Sequence, residues 1–398
     1  MTGIHGQIAF PNASIPAHLN LSPAPDASLP IVELSGRMAY DDGVVSLVIT
    51  GRPRFQGATS PETVVASLCQ AYRDRGVPVL EDIHGPFAII AVNRQARTCA
   101  IAIDRMGIER LAWGVTDGWL NVGTSAAEVA QGLEPNPELN RQALFDFMYS
   151  HMVPAPATVF KKVKKLLPGE AIQFSPEGQQ GFSLWRPDFS RSTHVDIEEL
   201  KRETRPVLKR AIERTDPGSR SGSFLSGGLD SSTVTGLLAS VQKQSARAFS
   251  VGFGVDEFDE MEFARAAAAR FQCEHLIYEV TPADIVDLIP RISAAYDEPF
   301  GNSSAVPTYC CARLAKEHGV DHLLAGDAGD ELFGGNERYV RHRIFEMYYR
   351  LPQWMRRSVF EPLAARLTRS AVCCPSGKHR ATFARPGFRC PSDSRAGI

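Results

Sequence analysis

Through the first half of the chain, short runs of β-branched and aromatic residues are separated by turn residues. The runs at 44–50 (VVSLVIT), 87–92 (FAIIAV), 99–103 (CAIAI), 111–115 (LAWGV) and 119–123 (WLNVG) predict the strands of layered sheets. Helices interrupt them. Ser60-Pro61-Glu62 offers an N-cap, a proline at the first helical position and an early acid, and Val64, Val65, Leu68, Ala71 and Tyr72 then fall on one face until Gly76. A second helix is expected over 140–150. A hairpin over 170–185 turns at Pro176-Glu177-Gly178, and Arg186-Pro187 followed by polar residues reads as a linker, which puts a domain boundary near residue 190.

The second half changes rhythm. A helix over 196–214 leads to strands at 223–225, 248–253, 275–280 and 322–325, with helices at 231–240, 259–271 and 282–295 between them. Strands alternating with helices predict crossover units and a doubly wound parallel sheet covered on both faces. Ligands of such sheets bind at the carboxyl ends of the strands. Helical spacing persists to Arg369. Residues 371–398 hold three of the eight Cys, three Pro and no Leu, without apolar periodicity, so they are expected to be an aberrant or disordered tail on a truncated chain.

With 398 residues, the chain is long enough for two or three domains. Its 43% apolar and 22% charged residues are those of a globular protein with a sizeable core. Lys plus Arg (43) nearly cancels Asp plus Glu (45), which gives no field for nucleic acid or an anionic membrane and favours small-molecule partners. No leader pattern and no long apolar span is present, and the Cys spacing suits neither a disulfide framework nor a zinc site. A cytoplasmic, reducing compartment is expected. The basic run FKKVKKLL at 160–167 reads as a solvated face, Cys310-Cys311 as core thiols on a helix, and His5 and His84 as ordinary polar residues.

The segment SGSFLSGGLDSSTVTGLLAS at 221–240 runs from a strand through Ser226-Gly227-Gly228 into a helix opened by Leu229-Asp230-Ser231-Ser232. Backbone N–H groups and hydroxyls converge there at a helix N-terminus, which makes an anion cradle. The glycines let phosphate oxygens approach the backbone, and Asp230 is placed to hold Mg²⁺ between its carboxylate and those oxygens. A Walker A loop is excluded, because no Lys follows. In LLAGDAGDELFGGN at 323–336 a strand ends in Gly326, and Asp327, Asp330 and Glu331 crowd between glycines. Acids so close call for a cation, Mg²⁺ or a cationic substrate group.

SGGLDSS resembles the pyrophosphate loop of the N-type ATP pyrophosphatases. Together with GDAGDELFGG and with DEPFGNSSAVPTY at 297–309, it is similar to the asparagine synthetase family over about residues 1 to 360. The resemblance implies a layered α/β/β/α lobe of the N-terminal-nucleophile type at 1–190, followed by a doubly wound ATP pyrophosphatase domain, incomplete here, at 191–370. In that family, ammonia released from glutamine by the first lobe reaches a synthetase domain in which ATP adenylates the β-carboxylate of aspartate. By resemblance, Ser226, Gly227, Gly228, Asp230, Ser231 and Ser232 hold pyrophosphate, and backbone near Phe224 and Val251 flanks adenine. Gly326, Asp327 and Asp330 serve substrate and metal, with Asp230 and Asp330 sharing the Mg²⁺.

The chain departs from the family at its start. Met1-Thr2-Gly3-Ile4 stands where the family has Met-Cys-Gly-Ile, so Thr2 is a degenerate nucleophile position. A hydroxyl is far less nucleophilic than a thiolate, even beside an α-amine of pKa about 8. The family's Arg-Gly-Pro-Asp and Asn-Gly-Glu segments are not recognisable between Pro11 and Thr59. HGPFAIIAVNRQ (84–95) and IDRMGIERLAWG (103–114) retain the scaffold pattern, so the lobe is expected to fold without hydrolysing glutamine. The expected activity is an ATP-dependent, asparagine-synthase-like amide ligation using ammonia or another amine, and a homodimer is compatible with it. The alternatives are a ligase of the β-lactam synthetase kind acting on another carboxylate, and a catalytically dead nucleotide-binding protein.

Overall fold

The computed structural model describes residues 3–10, 31–58, 60–188, 196–215, 220–242, 245–254 and 261–362. Thr2 and the tail expected from residue 371 lie outside them. Two compact units are drawn from Met1–Ala211, Phe249–Asp259 and Leu276–Asp321, and from Ile212–Ala248, Glu260–His275 and His322–Ile398.

In the first unit the strands are β1 (His5–Ala9), β2 (Ile31–Ser35), β3 (Met38–Asp41), β4 (Val45–Gly51), β5 (Phe87–Asn93), β6 (Thr98–Ile103), β7 (Ala112–Thr116), β8 (Trp119–Gly123), β9 (Lys164–Lys165), β10 (Glu170–Ser175) and β11 (Gly178–Ser183). They form two sheets, in the orders β2-β1-β8-β7-β9 and β11-β10-β6-β5-β4-β3. Helices α1 (Pro61–Arg75), α2 (Ala126–Leu133) and α3 (Arg141–Ser150) belong to the same stretch.

The central strands are apolar at nearly every position because both of their faces are covered. On β4, Leu47 and Ile49 pack with Val64, Leu68 and Tyr72 of α1, while Val48, pointing the other way, meets Ile8, Ile101 and Val122 between the sheets. The outer face of the other sheet, β2-β1-β8-β7-β9, buries Trp119 and Ala112 against Val129 and Leu133 of α2. Helix, sheet, sheet and helix are thus stacked in the expected order. At α1 the Ser60 hydroxyl accepts the Thr63 N–H, and Gly76, at φ 67°, closes the helix by donating to the Tyr72 carbonyl.

The buried Asp104 stitches the loop after β6. Its carboxylate accepts N–H groups from Met106, Ile108 and Glu109 at 2.9–3.1 Å, which accounts for the retained IDRMGIE pattern.

Beyond α4 (Ile197–Thr215) come β12 (Ser221–Phe224), α5 (Leu229–Val241), β13 (Arg247–Gly252), α6 (Met261–Phe271), β14 (Glu274–Glu279), α7 (Pro282–Ala295), α8 (Ala305–Glu317), β15 (His322–Leu324), α9 (Gly329–Phe333) and α10 (Glu337–Tyr349). The sheet order is β14-β13-β12-β15, so the progression reverses beside β12. β12 and β15 run parallel in the register Ser221↔His322 to Ser223↔Leu324. Gly236 on α5 faces the Phe271 ring so closely that a Cβ would collide with it. No helix among the described residues is long and apolar enough to cross a membrane.

Candidate functional site

The site begins where β12 and β15 part. In an open parallel sheet the connections of two neighbouring strands diverge at the reversal point, leaving a crevice at their carboxyl ends. The loop after β12 is Ser226–Ser232 and the loop after β15 is Gly326–Gly335. The two segments with candidate chemistry therefore flank one crevice, inside one compact unit.

Serine hydroxyls shape the first loop. Ser231 Oγ accepts the Ser226 N–H at 3.2 Å, donates to the Gly228 carbonyl at 3.2 Å, and lies 3.0 Å from Ser226 Oγ. Ser226 Oγ in turn accepts the Gly228 N–H at 3.3 Å. Ser231 is 8% exposed, so its hydroxyl organises the turn, whereas Ser226 is exposed and Ser232 half-buried. Gly227, at φ 93°, takes a conformation that only glycine adopts at low cost. No side chain caps α5, because Gly228 occupies its N-cap, and the end of the helix dipole stays open to an anion. From below, Thr235 Oγ1 donates to the Ser231 carbonyl at 2.8 Å and lies 2.8 Å from Ser223 Oγ of β12, both side chains fully buried.

The second loop lies directly on the first. A Cβ at Gly326 would stand 2.8 Å from the Asp230 carbonyl carbon and the Ser231 nitrogen, and one at Gly329 would overlap the Asp230 carboxyl group. A Cβ at Gly335 would likewise overlap the carboxyl group of Asp330. Ala328 enters α9 at φ 69°, a strained value for a residue with a Cβ. Asp327 is exposed and Asp330 half-buried, while Glu331 accepts the Tyr339 hydroxyl at 3.4 Å. Phe224, half-buried, ends β12; Val251, half-buried, lies on β13 and joins the core of the other unit, beside Val280 and Leu288.

Among the described residues no three His, Cys, Asp or Glu side chains form a metal cluster. The glycines beside Asp230 and Asp330 leave both carboxyl groups backed by bare backbone.

Sequence reasoning gave Asp297 and Glu298 no role, although they open the DEPFGNSS segment. Asp297 accepts the Ser125 hydroxyl at 2.7 Å, the Ala127 N–H at 3.3 Å and the Ala126 N–H, all at the start of α2. Glu298 accepts the Val159 N–H at 2.9 Å and pairs with Lys165 at 2.5 Å. Of the basic run, Lys161 and Lys162 are exposed, as expected of a solvated face, but Lys165 is turned inward, its side chain 18% exposed. Cys310 and Cys311 are buried thiols on α8. His5 hydrogen-bonds Asn121 at 2.7 Å, and His84 pairs its backbone with Arg54.

The asparagine synthase family model matches residues 203–391, and the glutamine amidotransferase domain model matches residues 48–185. Asparagine synthetase [glutamine-hydrolyzing] 1 of Bacillus subtilis is 28% identical over 305 residues, which is 75% of this chain and 47% of that protein. Putative asparagine synthetase [glutamine-hydrolyzing] 2 of Methanocaldococcus jannaschii is 25% identical over 312 residues, 77% of this chain and 60% of that protein. The chain spans about half the length of the curated relatives it matches. Among solved structures, the glutamine phosphoribosylpyrophosphate amidotransferase of B. subtilis, in complex with ADP and GMP, aligns over 82% of this chain and 85% of its own at 13% identity. The TM-score of that alignment is 0.27.

Proposed function

The chain belongs to the asparagine synthetase family, and from that premise we propose that it is an ATP-dependent carbon–nitrogen ligase. Its reaction activates a carboxylate, aspartate in the first instance, as an acyl-adenylate that ammonia or another amine then attacks. The observation that carries this reading is the meeting of the Ser226–Ser232 and Gly326–Gly335 loops at the reversal point of the sheet, with the Asp230 carboxyl group against Gly329.

In this reading, the uncapped start of α5 and the exposed hydroxyl of Ser226 bind the pyrophosphate part of ATP. Gly227 and Gly228 let it approach the backbone, and Ser232 adds a hydroxyl. Ser231 holds the loop in shape. Backbone near Phe224 and Val251 receives adenine. Asp230 and Asp330 would hold Mg²⁺, which when bound neutralises charge developing on the departing pyrophosphate. Asp327 and Gly326 face the substrate. The reading divides the chain into a glutaminase-like lobe at 1–190, without glutamine hydrolysis because Thr2 replaces the thiol, and a synthetase domain at 191–370. Buried, unpaired thiols suit a cytoplasmic setting.

The test is exchange of labelled pyrophosphate into ATP by the purified chain, with aspartate compared against other carboxylates. Aspartate-dependent exchange is expected, while exchange driven better by another acid would move the substrate. Absence of exchange with every acid would sink the reading.

A further inference from the structure

Two fully buried hydroxyls lie under the first loop of the crevice. Thr235 Oγ1, on the second turn of α5, donates its single proton to the Ser231 carbonyl at 2.8 Å, so the 2.8 Å contact with Ser223 Oγ is made by the Ser223 proton. That order has a direction: β12 donates to Thr235, and Thr235 donates to the loop. Ser223 also stands opposite Leu324 in the last register pair before β12 and β15 part. Just beyond Leu324, Gly326 meets the Ser231 nitrogen so closely that a Cβ would stand 2.8 Å from it. Ser231 is therefore held from both strands, by the hydroxyl bridge beneath it and by Gly326 beside it.

Ser231 in turn holds the cradle. Its Oγ accepts the Ser226 N–H, touches Ser226 Oγ and donates to the Gly228 carbonyl, so a shift of Ser231 moves the turn that precedes α5. A buried hydroxyl costs free energy unless it is paired, and apolar side chains at 223 and 235 would fill the same space without that demand. Thr233, on the same helix, makes the same kind of bond, to the Leu229 carbonyl at 2.8 Å, but at the surface and with no partner on β12 among the described residues. We propose that Ser223 and Thr235 are positioning residues for pyrophosphate binding: their hydroxyls tie Ser231, and through it Ser226 and Gly228, to the point where the two strands separate. The inference rests on the ligase reading above, and deepens it by naming what sets the cradle at its place above the sheet.

Purified full-length wild type, Thr235→Val, Thr235→Ser, Ser223→Ala, Thr235→Val/Ser223→Ala and the control Thr233→Val are compared in calorimetric binding of Mg²⁺-pyrophosphate, thermal unfolding, and amide hydrogen exchange without ligand. Thr235→Val leaves the Ser223 hydroxyl buried without an acceptor and is expected to lower Tm. The double variant removes both partners and should recover the wild-type Tm. Its affinity for Mg²⁺-pyrophosphate is nevertheless expected to stay about tenfold weaker, the order of one charge-assisted hydrogen bond. Thr235→Ser keeps the hydroxyl and the affinity, Ser223→Ala loses less than Thr235→Val, and Thr233→Val binds as the wild type does. Amides of 226–232 exchange faster in the double variant.

Wild-type affinity in the double variant overturns the proposal. So does a Tm that falls there in step with affinity, which would mark the hydroxyls as packing alone, and so does unchanged amide exchange over 226–232. Exchange of labelled pyrophosphate into ATP is measured alongside. If the wild type binds pyrophosphate but catalyses no exchange with any acid, the ligase reading fails while the binding series still decides the bridge. A wild type that binds no pyrophosphate overturns both.

Discussion

The carboxyl group of Asp230 rests against the backbone of Gly329, with no space between them for a Cβ carbon. One residue follows β12 and the other follows β15, so this contact brings the two loops of the crevice together. A side chain at 329 would push Asp230 away from the position the proposed Mg²⁺ requires.

Gly329→Ala is accordingly expected to weaken Mg²⁺-ATP binding by about tenfold or more, although Gly329 is the first residue of α9, where alanine is a good helix former. Asp230→Asn should abolish Mg²⁺-dependent binding. Calorimetric titration with and without Mg²⁺ checks both, and undiminished binding in Asp230→Asn would remove the central claim about this loop.

Glutamine should not be hydrolysed. Thr2 supplies a hydroxyl where the resembling family has a thiol, and hydroxyl nucleophiles are much the weaker at neutral pH. Ammonia release from glutamine by the purified chain, lost on Thr2→Ala, would overturn this.

The start of α7 should be sensitive to acid. Thr281 and Asp284 form a reciprocal capping box, and the Thr281 N–H, its hydroxyl and the Tyr278 hydroxyl hold the Asp284 carboxyl below the usual aspartate range. A lowered folded-state pKa means that this stabilisation is present above the ordinary aspartate pKa and is lost as pH falls through the lowered one. Thr281→Ala should cost about 1 kcal/mol at pH 7. In Asp284→Asn the acid-side slope of Tm against pH should flatten. An unchanged slope would refute the assignment.

Cys310 and Cys311 should stay unmodified by a thiol reagent at pH 8 in the native protein. Burial raises both thiols, that of Cys311 to about 12, so almost no thiolate is present and neither sulfur faces solvent. Mass spectrometry after brief alkylation checks this, and modification of either residue at the rate of a free thiol would show that α8 opens.

Much of the fold was legible because its signals are local. α1 begins at Ser60 and stops at Gly76 as the caps predict, and the apolar runs at 87–92 and 119–123 became β5 and β8. Other elements lacked so plain a signal. β1, HGQIA, holds little that favours a strand until β2 and β8 pair with it on both sides. α2 is only eight residues long, although Ser125-x-x-Glu128 carries the pattern of a capping box and could have revealed it.

The sequence by itself determined the order and type of most elements, the glycine and hydroxyl chemistry of SGGLDSS and the crowding of acids in GDAGDE. Each of those depends on residues within a few positions of one another. Tertiary structure alone decided that β15 returns beside β12, placing Gly329 against Asp230, and that Asp297 caps a helix 172 residues upstream. No periodicity encodes such meetings, because they are selected by burial of whole faces and by pairing of desolvated charges, which come into being only once the layers have packed.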